Sequence, residues 1–140
     1  MRDELNGRRF ALALAVAAGL GLAAGCASNV SGTAPGGANA ADVVRERSQQ
    51  RWDALVAGDV QKAYGFLSPG TREANTLSAY ASNVKFGFWK KAQVDRVDCP
   101  EADLCIVALR VDYVHRGSRI ESPTTESWIR SGGEWWYVLR

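Results

Sequence analysis

The hydrophobic pattern changes its period along the chain and divides it into three parts. An apolar run covers 10–24, and a stretch without charged or aromatic residues follows at 27–41. From Asp42 the apolar positions recur at the three- and four-residue steps of an amphipathic helix, and beyond Phe86 they change to the alternation of β-strands. The pattern therefore predicts one folded domain at 42–140.

Three helices are predicted in the first half of this domain. Asp42 is placed to cap the first helix, which Gly58 ends. Asp59 is placed to cap a second, shorter helix that ends at 68–70, where the sequence reads Ser-Pro-Gly. A third short helix is predicted over 76–84.

The second half reads as four strands rich in Val, Ile, Tyr, Trp and Thr, separated by turn sequences. Such short connections require antiparallel pairing. We therefore expect an α+β fold in which N-terminal helices pack on a curved antiparallel sheet of four or more strands. The predicted strands cover 89–98, 104–115, 120–129 and 135–139. The clearest alternation places one set of side chains on a common face: Cys105, Val107, Leu109, Val111 and Tyr113.

The N-terminal 25 residues have the layout of an export signal. Arg8 and Arg9 precede the apolar run, which small residues and Cys26 follow. The run is 15 residues long, whereas a permanent transmembrane helix needs about 20. The alternatives are a transmembrane anchor and an ordinary signal peptide with a chance cysteine.

The sequence Ala23-Ala24-Gly25-Cys26 resembles the lipobox of bacterial lipoproteins, with Ala23 where the family commonly has Leu. The resemblance implies cleavage of the signal peptide, residues 1–25, and attachment of diacylglycerol to Cys26. The partner would then be a membrane, and the domain would face the periplasm of the cell envelope. No Asp follows Cys26, which favours the outer membrane in a cell with two membranes. Residues 26–41 would form a flexible tether.

The charge balance gives no reason to expect a nucleic-acid partner. The chain has 17 basic and 15 acidic residues, a net charge of +2. Removal of residues 1–25 would leave 14 and 13, a net charge of +1. Basic residues are interspersed with acidic ones rather than gathered into a patch.

Cys99 and Cys105 bracket the tip of a predicted hairpin, where facing strands bring side chains within disulfide distance. Export would place them in an oxidising compartment, and we expect a structural disulfide. A redox pair is the alternative, although the spacing is not CxxC. Two sulfurs and one distant His115 are too few for a metal site, and we expect no metal and no cofactor.

Several short motifs follow one another in residues 42–140. They are Arg51-Trp52-Asp53-Ala54-Leu55, Gly58-Asp59, Ala63-Tyr64, Leu67-Ser68-Pro69, and Gly133 with Trp135, Trp136 and Tyr137. Their order resembles that of the NTF2-like superfamily. The resemblance implies a cone in which a sheet wraps over helices and encloses a pocket; some members are isomerases, dehydratases or hydrolases, and many are non-catalytic.

Catalysis in such a cone needs a buried base beside a hydrogen-bond donor. His115 is the candidate base, and Tyr113, Tyr64 and Tyr80 are the candidate donors. His115 stands at a strand end beside a turn, where a solvated histidine is the ordinary expectation. These four residues are therefore the catalytic candidates of an alternative hypothesis, and the first expectation is a protein that is not an enzyme.

Trp135 and Trp136 must point to opposite faces of a strand, and they are candidates for binding a partner or ligand. The first hypothesis is a lipid-anchored, non-enzymatic domain that binds a small apolar ligand or an envelope protein. The alternatives are an enzyme with its site in the cone, using His115 with a tyrosine, and a subunit of an envelope assembly. Homodimerisation through the sheet belongs to the last alternative.

Overall fold

A computed structural model describes residues 37–84 and 87–139. The helices are α1 (Gly37–Ala57), α2 (Val60–Gly65), α3 (Pro69–Ala74) and α4 (Leu77–Asn83). The strands are β1 (Trp89–Glu101), β2 (Leu104–His115), β3 (Ser118–Ser131) and β4 (Glu134–Val138).

The four strands form one antiparallel sheet in the order β1-β2-β3-β4. Two-residue turns join them, and the turns at Arg116-Gly117 and Gly132-Gly133 have positive φ at both positions. This is the backbone that a tight hairpin with right-handed strand twist requires. The helices precede the sheet and α1 packs on it, so the predicted α+β class is confirmed.

The predicted alternation along β2 is also confirmed. Cys105, Val107, Leu109 and Val111 are buried on the inner face of the sheet, where α1 lies. Three register shifts interrupt the pairing of β1 with β2. Because such irregularities bend a strand and increase its twist, β1 curves along the helix that it covers.

A short segment after α2 extends the sheet beyond β4. Leu67 bridges Tyr137 in parallel orientation and is fully buried. The N–H of Ser68 donates to the carbonyl of Tyr137 at 2.9 Å, and the N–H of Tyr137 donates to the carbonyl of Phe66 at 2.8 Å. These bonds fasten the connection between α2 and α3 to the edge of the sheet.

The prediction that Asp42 caps the first helix is wrong. Helix α1 begins at Gly37, so 37–41 of the predicted tether are helical, and Ala40 is only 8% exposed. Alanine has the highest helix propensity, and Ala40 also packs into the core. An uncharged, Ala-rich segment thus forms part of a packed helix here, and not of a tether.

The Ser68-Pro69-Gly70 sequence, predicted to end a helix, instead begins α3. The Ser68 hydroxyl accepts a hydrogen bond from the N–H of Thr71 at 3.1 Å. Pro69 follows at the first helical position, where its missing N–H is not needed. The predicted cap at Asp59 is confirmed, because its carboxylate accepts from the N–H of Lys62 at 3.0 Å.

The predicted disulfide between Cys99 and Cys105 is present. Both cysteines are buried at the end of the β1–β2 hairpin. Closing a loop of this length stabilises a fold by about 2.3 kcal/mol in the chain-entropy model. The bond therefore reinforces the end of the hairpin, next to the register shift between Asp98 and Glu101.

An ion pair links β1 and β2 on the exposed side of the sheet. Arg110 donates three hydrogen bonds of 2.8 to 3.1 Å to the two carboxylate oxygens of Asp95. These hydrogen bonds hold the pKa of Asp95 below its usual range and raise the pKa of Arg110. Both side chains of the pair are solvent-exposed. The pair therefore does not form part of an enclosed site.

Candidate functional site

A buried carboxylate lies between α1 and the sheet. Glu126 accepts hydrogen bonds from Arg51 and from the indole N–H of Trp52 (2.7 Å) on one oxygen. Its other oxygen accepts from the Ser48 hydroxyl (2.8 Å) and the indole N–H of Trp128 (3.0 Å). We call these five residues the Glu126 cluster. The four donors occupy the acceptor sites that a carboxylate offers, two on each oxygen.

Helical and strand periodicity bring the cluster together. Ser48, Arg51 and Trp52 are spaced by three and four positions on α1, so they share one helix face. Glu126 and Trp128 are two positions apart on β3 and point to the same, inner side. Arg51 and Glu126 are each at least nine-tenths buried, and they neutralise one another in the core.

Glu126 was not singled out by the sequence analysis. The two-residue turn at Arg116-Gly117 pairs His115 with Ser118, and this register places Glu126 opposite Val107, on the buried face. The predicted strands at 104–115 and 120–129 leave four residues between them and do not fix this register. The burial of the carboxylate therefore did not follow from the sequence pattern.

A cavity of about 460 Å³ adjoins the Glu126 cluster. Its walls come from α1, the end of α3, α4, the start of β1 with the turn before it, and the inner face of β3 and β4, together with Leu139. Cavities of this size accommodate small organic molecules. Most of the described wall is apolar, and its aromatic rings belong to Trp52, Tyr80, Phe88, Trp89 and Tyr137.

Aromatic packing holds part of the cavity wall in place. The rings of Trp52 and Trp89 meet edge to face with their centres 5.3 Å apart. The guanidinium of Arg51 lies over the ring of Tyr137 at 3.7 Å from its centre. These contacts join α1 to β1 and β4 around the cavity, so its shape is built from side chains that also stabilise the fold.

Two hydrogen-bond donors of the wall have no acceptor among the residues that the structure describes. They are the hydroxyl of Tyr80 and Nε of Arg51. Tyr80 is 4% exposed. A buried donor without an acceptor destabilises a fold by about 1–3 kcal/mol, so such groups in a cavity wall are candidates for ligand contact.

The described part of the wall supplies no carboxylate, imidazole or thiol to the cavity. The nearest candidate in the core is Glu126, whose lone pairs are already used by its four donors. A general base needs an acceptor within hydrogen-bond reach of the proton that it removes. A general base on the described wall would therefore have to be a group other than a carboxylate, imidazole or thiol.

The four catalytic candidates do not converge. His115 is exposed at the end of β2 and does not line the cavity, and Tyr113 stacks on Phe88 with ring centres 4.8 Å apart. The hydroxyl of Tyr64 donates to backbone carbonyls in and after α3, at 3.2 and 2.8 Å. Of these candidates, only Tyr80 lines the cavity.

Trp135 and Trp136 have different surroundings. Trp135 is 5% exposed and packs in the core, so it offers little surface to a partner. Trp136 is half-buried, and its indole N–H donates to the carbonyl of Ser131 at 3.1 Å. The guanidinium groups of Arg47 and Arg72 lie 5.4 and 5.2 Å from its ring centre.

Cys26 and the predicted signal peptide lie outside the described residues, which begin at Gly37. None of the helices in the described ranges combines the length and hydropathy that crossing a bilayer requires. Within the same ranges, no three metal-binding side chains gather into a cluster that could hold an ion.

No family model matches the chain, and no curated protein matches it. Solved structures with a similar fold include two proteins described as containing a SEC-C motif. One, from Psychrobacter arcticus, has a TM-score of 0.59 and 11% identity, and the match covers 71% of this chain and 60% of that one. The other, from Rhodopseudomonas palustris, has a TM-score of 0.55 and 11% identity, with 66% and 73% covered.

These matches concern the fold alone, because their sequence identity is low. This chain spans about three fifths of the length of the Psychrobacter protein. The comparisons therefore support the α+β architecture and leave the activity to be argued from the cavity.

Proposed function

We propose that this protein is a lipid-anchored lipoprotein of the cell envelope whose NTF2-like domain binds a small apolar ligand without transforming it. The observation that carries the binding role is the cavity of about 460 Å³ beside the Glu126 cluster. It has aromatic walls and a few polar groups, which is the usual composition of small-molecule sites.

The NTF2-like assignment is supported by the arrangement of α1 and the sheet. The sheet covers α1 on its inner face, β1 bends at three irregular positions, and α4 lines the same cavity as α1. A helix packed on the inner face of a bent sheet, with a cavity beside them, agrees with the cone that the resemblance implies.

The envelope location is supported by two features of the chain. Ala23-Ala24-Gly25-Cys26 resembles a lipobox and follows an apolar run of export type. The disulfide between Cys99 and Cys105 is stable in an oxidising compartment such as the periplasm. Lipid on Cys26 would make the attachment to a membrane effectively permanent when two or more acyl chains are present.

The two alternatives have less support. An enzyme using His115 would need this exposed side chain to reach a cavity that it does not line. A subunit of an envelope assembly, or a homodimer through the sheet, would rest on Trp136. One half-buried aromatic side chain is small beside the roughly 800 Å² that each partner buries in a standard interface.

Photolabelling tests the cavity as a binding site. The full-length, detergent-extracted protein is irradiated with the neutral probe 3-trifluoromethyl-3-phenyldiazirine, and the labelled peptides are mapped by mass spectrometry. We expect cavity labelling on peptides that contain Trp52, Tyr80 or Trp89.

The variant Leu139→Trp should reduce this labelling about tenfold, because it adds bulk to the cavity wall. Val114→Trp is the matched control, since Val114 is 41% exposed, close to the 38% of Leu139, and lies outside the cavity. Equal labelling of the two variants, or labelling confined to other peptides, would refute the cavity as a ligand site.

A further inference from the structure

The chemistry of the cavity wall restricts the charge of its ligand. Arg51 is the charged residue of the described wall, and Glu126 neutralises it through a buried ion pair. An anionic ligand would therefore meet a guanidinium whose charge is already balanced. A cationic ligand would meet no carboxylate on the described wall. Burial of an unbalanced charge is unfavourable, so the wall selects against both.

The wall also offers hydrogen-bond donors at its inner side. The hydroxyl of Tyr80 and Nε of Arg51 are buried and have no acceptor among the described residues. Nε of Arg51 can only donate, and the hydroxyl of Tyr80 can donate or accept, so an acceptor oxygen on the ligand would satisfy either group. Tyr80 and Arg51 both line the cavity, and these two donor atoms are buried within its wall.

Two amide side chains of the wall differ from these buried donors. The Nδ2 groups of Asn75 and Asn83 donate to helix carbonyls of Thr71 and Ala79 at 3.2 and 3.0 Å. Their amides are thus oriented by the protein, and Asn83 is exposed. This part of the wall is open to solvent and does not restrict the ligand as strongly as the buried donors do.

We infer that the cavity takes an uncharged aromatic or polycyclic ligand with a hydrogen-bond-accepting oxygen, which the hydroxyl of Tyr80 holds. This inference rests on the proposed binding function. The rings of Trp52, Phe88, Trp89 and Tyr137 contact the flat body of the ligand, and its oxygen satisfies a donor that the fold leaves unpaired. The hydrogen bond to Tyr80 orients the ligand, while aromatic contact supplies most of its affinity.

Three probes of one shape test the inference by competition against diazirine photolabelling of the full-length protein. Fluorene is apolar, fluorenone adds a carbonyl oxygen, and fluorene-9-carboxylate adds a negative charge. We expect fluorenone to compete best and the carboxylate to compete worst. Tyr80→Phe should reduce the advantage of fluorenone over fluorene by roughly three- to tenfold.

Competition by fluorene should be unchanged in Tyr80→Phe, because this probe makes no hydrogen bond. Tyr113→Phe is the matched control, since Tyr113 does not line the cavity and should leave all three probes unaffected. Each probe is compared between protein variants, because its partition into detergent is the same for all of them and cancels in the comparison.

Two results would overturn the inference while leaving the proposed function intact. One is equal competition by fluorene and fluorenone in the wild-type protein. The other is strongest competition by the carboxylate, which would make Arg51 an anion site. Absence of cavity photolabelling would instead overturn the proposed function itself.

Discussion

At the scale of single residues, Glu126 connects the core with the cavity. Its carboxylate accepts hydrogen bonds from two indole N–H groups, a guanidinium and a hydroxyl. Through Arg51 and Trp52 it orients two side chains of the cavity wall. A buried ion pair contributes little net stability compared with an apolar replacement of the same shape, but loss of one partner leaves the other charge uncompensated.

We therefore expect Glu126→Gln to lower the free energy of unfolding by about 3–5 kcal/mol, because Arg51 loses its counter-charge. The new amide nitrogen would also face indole and guanidinium donors instead of accepting from them. Urea unfolding monitored by circular dichroism measures the change.

Glu121→Gln is the control for this change. Glu121 is exposed, and its carboxylate lies 3.7 Å from Arg110. Exposed ion pairs contribute about 0–1 kcal/mol to stability, so we expect the control to change the free energy of unfolding by less than about 1 kcal/mol. Similar unfolding free energies for the two variants would show that the Glu126 cluster is not a stabilising unit.

At the scale of elements, the start of α1 determines how much of the N-terminal part belongs to the domain. The helix begins at Gly37, and Ala40 is buried where α1 meets the core. Asn39 is exposed on the neighbouring helical position. The first turns of α1 thus have a packed side and a solvated side, as expected of a helix that is part of the fold.

The variant Ala40→Arg should lower the free energy of unfolding by about 1–3 kcal/mol, because the long side chain overfills a packed position. Asn39→Arg introduces the same residue one position earlier on the exposed side, and it should change stability by less than about 0.5 kcal/mol. Chemical denaturation of both variants provides the measurement. If neither variant changed the free energy of unfolding, residues 37–41 would not pack against the domain and the tether would extend to 41.

At the scale of the whole molecule, the proposal combines a membrane attachment at Cys26 with a domain that carries a cavity. The described residues start at Gly37, ten residues after Ala27. In the proposal, the intervening segment would act as the tether between the lipid and the domain. The cavity would then meet a ligand that reaches the envelope, and lipid on Cys26 would determine where that encounter takes place.

We expect Cys26→Ala to leave an uncleaved precursor that does not incorporate radiolabelled palmitate, because lipid attachment requires the thiol. Ser28→Ala, two residues further along, should be processed and labelled normally. Gel mobility and metabolic labelling report both properties. Normal processing of the Cys26 variant would show that the segment is an ordinary signal peptide or no signal at all.

Much of the secondary structure was accessible from the sequence because its signals are local. Alternation along β2, the Arg116-Gly117 turn and the cap at Asp59 each depend on neighbours within a few positions. The pairing of Cys99 with Cys105 followed from a hairpin of the same kind. The start of α1 shows the limit of local signals, because an Ala-rich segment without charge can form either a tether or a packed helix.

The sequence by itself determined the α+β class, the antiparallel order of the strands and the disulfide. Only the tertiary structure decided that Glu126 meets Arg51 across 75 positions of chain, that Tyr80 lines a cavity, and that His115 stays outside it. The physical reason is that periodicity assigns a side chain to a face of its own element. Which faces meet, and which donors remain without acceptors between them, depends on how a helix and a bent sheet pack together.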